Sequence, residues 1–188
     1  MKACTQGSID YFCGIYSTIN AVKKACQKIR KFSYKEDCLL YQYLMQKLID
    51  RGLISEVLHY GSSFSIMKLY LSDAKEYMNK EYNIKITYRQ PFAHKKQSFD
   101  YIAKYVWCWL KRRNNSVIIR LKNKTIGDHW TVVTKCLPIL QKLKLFDSYS
   151  YKELNTKYCR LKDLSSRTYI MEEGVILIKV HKKTITNI

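Results

Sequence analysis

The stretch "QGSIDYFCGIYSTINA" (residues 6–21) sets a glutamine seven positions ahead of a Cys-Gly pair. From that pair onward, Ile15, Ile19, Val22, Cys26 and Ile29 recur at steps of four, three, four and three, which lines one face of a helix. The first amides of a helix have no intrahelical partner and favour negative charge nearby. A thiolate gains from such a position. Of the seven cysteines, Cys13 alone falls at a predicted helix start.

Three more helices follow by pattern. One is predicted from about Tyr34 to Arg51, with Ser33 as its cap and Gly52 as its stop. Another starts near Ser62-Ser63 and carries Ile66, Leu69, Tyr70, Ala74 and Tyr77 on one side; "EVLHYGS", with His59, reads as the connector before it. The last, "SFDYIAKYVWCWLKRR", begins after Ser98 and ends in a basic turn that suits the helix dipole. Beyond these the chain turns strand-like in "IKITYR", "SVIIRLK", "HWTVVTKCL", "KLKLFDS" and "GVILIKVHK", all rich in β-branched residues. Helices first and strands later predict an α+β fold, one domain over 1–188, with an antiparallel sheet and the helices packed on one side of it.

Composition narrows the class. With 188 residues and 47% hydrophobic content the chain is long and apolar enough for a sizeable core. No apolar run reaches the roughly 18 residues of a membrane helix, and the N-terminus has no signal-peptide pattern. A cytoplasmic location is therefore expected, with delivery as an effector by a route that needs no Sec signal as the alternative. Seven cysteines without a C-x-x-C pair or a Cys/His cluster suggest free thiols and no metal site; Cys26, Cys38 and Cys108 are expected to be buried in helices. No cofactor is expected.

The net charge of +19 arises from 34 Lys+Arg against 15 Asp+Glu, spread along the chain without a dense block. Such a field speeds encounters with anionic partners. It suits an acidic peptide or protein substrate, and nucleic acid as well, although no nucleic-acid motif accompanies it. A basic binding protein with a structural cysteine is the rival reading.

An activated thiol also needs a base from another element. His94 lies in a basic loop and His181 near the end of the last strand, and both read as solvent-facing. His129 opens the strand "HWTVVTKCL", where it projects from the end of the sheet. In strand alternation His129, Thr131 and Val133 share one face, and Trp130 and Val132 the other. "PILQ" reads as the join to "KLKLFDS", so antiparallel pairing returns Asp147, or less favourably Ser148, to the end where His129 lies. A carboxylate there can orient the imidazole. Gln6 offers a side-chain amide, and Cys13 its backbone N–H, to an oxyanion.

Gln6, then Cys13-Gly14 at a helix start, then His129 in "HWTVV", then Asp147 in "LFDS", resembles the order found in papain-like cysteine peptidases. The likeness is nearest to the branch of bacteriocin leader-processing (double-glycine) peptidases and their free-standing bacterial relatives, and it spans residues 6–148. It implies a papain-like fold and a thiol protease that hydrolyses a peptide or protein amide. In that scheme Cys13 is the nucleophile, His129 the general base and acid, Asp147 the orienting group and Gln6 the oxyanion donor. The chain departs from the group in two details. The Gln-to-Cys spacing is one residue longer, and Ser148 stands where leader peptidases usually carry proline.

Overall fold

The computed structural model describes residues 2–5, 11–93, 97–123, 127–137, 139–149, 151–161 and 168–182. Helix α1 (Cys13–Cys26) is buried over most of its surface, and fully buried Ile15, Ile19 and Val22 carry its apolar face. Each such side chain contributes about 1.5–3 kcal/mol by leaving water. Its polar residues are buried too, and hydrogen bonds satisfy them. Ser17 Oγ donates to the Trp130 carbonyl at 2.6 Å, and Thr18 Oγ1 donates to Gly14 O at 2.9 Å. Asn20 forms a reciprocal pair with the backbone of Cys4, accepting from its N–H at 2.8 Å and donating to its carbonyl at 3.1 Å. That pair fastens the segment 2–5 alongside the helix.

Helix α2 (Tyr34–Asp50) begins at a capping box in which Ser33 and Glu36 satisfy each other's backbone N–H. A buried ion pair between Lys23 and Asp37 ties it to α1. Helix α3 (Ile54–Tyr60) is short and ends at Gly61, whose φ of 72° only glycine adopts without strain. Helix α4 (Phe64–Tyr82) is capped by Ser63 and stopped by left-handed Asn83. Asp73 of α4 accepts a bidentate pair from Arg51 at 2.5 and 2.7 Å. Helix α5 (Phe99–Leu110) is capped by Ser98.

The strands are β1 (Ile84–Arg89), β2 (Asn115–Asn123), β3 (Gly127–Leu137), β4 (Lys142–Phe146), β5 (Glu153–Asn155), β6 (Cys159–Leu161) and β7 (Thr168–Lys182). They form one sheet in the order β1-β7-β2-β3-β4-β5 with antiparallel neighbours, and β6 adds a short parallel pairing to β7. The architecture is α+β. Helices α1, α2 and α4 cover one face with Ile84, Ile86, Ile118, Trp130, Val132 and Ile176. Ile102 and Val106 of α5 pack on the other face against Val117, Ile119, Val133 and Leu177.

Four sequence expectations need correction. The helices are not all on one side, because β2 and β7 are apolar on both faces and α5 covers the second. "EVLHYGS" is mostly helix α3 rather than a connector, with His59 exposed. The basic residues after Trp109 lie past the end of α5 and not in its last turn. Cys38 is half-buried and Cys108 exposed, since the inward pair Ile102 and Val106 turns position 108 outward. His181 is exposed as expected, and His94 lies outside the described residues. Among the described residues no helix is long and apolar enough to cross a membrane.

One glycine governs how closely α1 can approach its neighbours. A Cβ on Gly14 would meet Ser62 Oγ at 2.5 Å, Ser62 Cβ at 2.6 Å and Met67 Sδ at 2.9 Å. Gly14→Ala is therefore expected to cost about 1–3 kcal/mol through overpacking, read as a lower urea midpoint with an unchanged slope.

Candidate active site

The first residue of α1 is Cys13, which is 7% exposed. Phe12 precedes it as the cap residue and supplies no side-chain cap to the first turn. Beside it stands the start of β3. Gly127, at φ 69°, opens that strand, and His129 follows as its third residue, buried. The neighbouring Trp130 is driven the other way, into the core beneath α1. Its indole N–H donates to the Ser62 carbonyl at 2.7 Å. The loop before α4 thus touches Gly14 on one side and Trp130 on the other, which sets α1 against β3 within a narrow tolerance.

Strand β4 pairs antiparallel with β3, Val132 opposite Phe146 and Val133 opposite Leu145. Asp147 is the next residue and arrives beside His129. The imidazole Nε2 donates to Asp147 Oδ1 at 2.7 Å, with both side chains almost fully buried. The other carboxylate oxygen accepts the Tyr149 backbone N–H at 2.7 Å. The Thr131 hydroxyl, also buried, lies near enough to favour the ionised carboxylate, although its own geometry falls short of a good hydrogen bond. The Tyr149 ring lies 5.0 Å from the imidazole, centre to centre, at 60°.

Cys13 is also within hydrogen-bond reach of the His129 side chain. With Nε2 committed to Asp147, the nitrogen left for the sulfur is Nδ1. Burial disfavours a charge on His129, but hydrogen bonds to Asp147 and to Cys13, with attraction from both, outweigh it and raise its pKa to about 9. Burial likewise opposes ionisation of Asp147, and its bonds to His129 and the Tyr149 amide, with the nearby Thr131 hydroxyl, hold its pKa below the ordinary value. His129 thus has both the Cys13 thiol and the Asp147 carboxylate for partners, and all three side chains are buried.

Three of the four residues singled out by sequence, Cys13, His129 and Asp147, come together. Gln6 lies outside the described residues. Thr131 and Tyr149 were not anticipated as partners. Thr131 shares the His129 face by alternation, and Tyr149 follows Asp147 in a turn in which an Asp side chain commonly accepts the amide two residues on. Behind the thiol, burial pushes the Tyr70 phenol up, its contact with Ser62 pulls it back, and Cys13 adds to the rise. Among the described residues no group of three or more His, Cys, Asp or Glu could hold a metal ion. No protein-family model and no curated protein matches this sequence.

The electrostatics predict a pH signature for stability. His129 is held charged above its ordinary 6.5, so its contribution is complete below that pH and is lost as pH rises through about 9. Asp147 is held ionised below its ordinary 3.8, so its contribution is present above that pH and is lost on further acidification. The Tm gap between the native chain and Asp147→Asn should be widest between about pH 4 and 6.5 and should close toward pH 9, as measured by thermal melts in a buffer series.

Proposed function

We propose that this chain is a papain-like cysteine peptidase, or a closely related thiol hydrolase, acting on a peptide or protein amide. One observation carries the reading: His129 has both Cys13 and Asp147 within hydrogen-bond reach, with the thiol at the first residue of a helix. The order of these residues along the chain, which is that of the leader-processing branch, supports it further.

In this scheme the imidazolium and the helix terminus stabilise the Cys13 thiolate, which is the nucleophile. The sulfur adds to the amide carbonyl, and the Cys13 N–H with the Gln6 amide holds the oxyanion. His129 gives its proton to the departing nitrogen as the C–N bond breaks, leaving a thioester. A water then loses a proton to His129 and attacks the thioester carbonyl, and the acid leaves as the C–S bond breaks. Asp147 keeps the imidazole oriented and stabilises its charged form throughout. The basic surface favours an acidic peptide or protein as substrate.

The chain holds its own control for a reactivity test. Cys108 is exposed, whereas Cys13 is 7% exposed, so accessibility alone would make Cys108 the faster thiol. Under limiting iodoacetamide near neutral pH, followed by mass spectrometry, Cys13 should nevertheless be modified first. The order should reverse in His129→Ala. A race won by Cys108 in the native chain would remove the proposal.

Turnover supplies the second test. Cys13→Ala should abolish hydrolysis of any peptide the native chain cleaves while the chain stays folded, as circular dichroism will show. Asp147→Asn should retain part of the rate, because an amide can still orient the ring.

A further inference from the structure

Away from the thiol, on the sheet face that carries α5, a groove of about 1440 Å³ runs between that helix and the hairpin end of β3 and β4. Its apolar surface includes Trp107 on the helix side and Ile139 and Leu140 on the hairpin side. Ile139 is 97% and Leu140 63% exposed, an unusual cost for side chains of this kind at the tip of a turn. Five lysines line the same groove against one acid, Asp100, and one of them, Lys142, is paired with Glu153 at 2.7 Å.

On the strand side the groove is bordered by Lys135. An extra residue at Thr134 shifts the pairing register between Val133 and Lys135, so Cys136 faces the core and Lys135 faces out. Lys104 and Lys111 stand on the opposite, helical wall, with the Lys111 ammonium 3.4 Å from the centre of the Trp107 ring. Positive charge therefore flanks an apolar floor on both sides. A flat bilayer would meet such a trough along its rims only. A nucleic-acid strand would place its phosphates over aliphatic side chains. A rod-like peptide with an apolar stripe and acidic flanks satisfies floor and walls at once.

We propose that this groove docks an acidic, amphipathic segment of a partner protein, apolar side down. The site lies on the face of the sheet opposite α1 and does not depend on the thiol chemistry.

The probe is a fluorescein-labelled helical peptide of about 18 residues, five turns, with leucine at every third or fourth position and glutamate elsewhere. A scrambled peptide of the same composition is its control, and binding is followed by anisotropy with the full chain. The native chain should bind the probe at least about tenfold more tightly than the scramble. Leu140→Asp, and separately the double variant Lys104→Glu with Lys135→Glu, should each weaken binding by about tenfold. Their melts and Cys13 labelling should not change, since these three side chains are exposed. Equal binding of the scramble, or variants that bind like the native chain, would overturn the proposal. So would phosphatidylserine vesicles or single-stranded oligothymidine binding more tightly through the same residues. Self-association that Leu140→Asp abolishes would assign the groove to a second copy instead.

Discussion

Helix α1 has almost no solvent face, and a helix so enclosed must satisfy its polar side chains inside the molecule. Ser17 and Ser116 do this by bridging helix and sheet: Ser17 reaches the Trp130 carbonyl, and Ser116 reaches the Ala21 carbonyl at 2.8 Å. Gly14 allows the loop before α4 to press against the first turn, and the same loop receives the Trp130 indole. These contacts leave α1 little freedom to slide along or rotate over β2 and β3. The position of the sulfur relative to the imidazole is a by-product of that confinement.

A buried imidazolium and carboxylate would ordinarily weigh against stability, since desolvation of both opposes their attraction. Here the penalty is offset by saturation. Asp147 gathers the His129 ring, the Tyr149 amide and the nearby Thr131 hydroxyl, while His129 keeps one nitrogen for the sulfur. The contacts that hold Asp147 come from one turn amide and from short side chains of β3, so the arrangement does not rely on long, mobile side chains.

Much of this was legible in the chain. The apolar steps after Cys13, the serine caps of α2, α4 and α5, and the β-branched runs are local signals, and the structure follows them closely. His129 and Asp147 could be brought together because one short join connects two strands, which makes their pairing nearly a local event. What stayed hidden was non-local. That β7 inserts between β1 and β2 cannot be read from order along the chain, nor can the choice of α5 for the far face of the sheet. The register shift at Thr134 breaks strict alternation, so a period-two reading of β3 loses phase beyond Val133. Tyr149 has no periodicity to announce it.

The central place of β7 has a consequence for biosynthesis. Strands β1 and β2 each pair with it, and β2 and β3 carry the surface on which α1 rests. While the chain is still being translated, β1 has no neighbour and β2 is left with an open edge. The scaffold that aligns Cys13 with His129 is complete only after residues near 180 have left the ribosome, and its many long-range pairings close late. A nascent chain therefore carries Cys13, His129 and Asp147 before it carries the strand that joins β1 to β2 and completes the sheet around them.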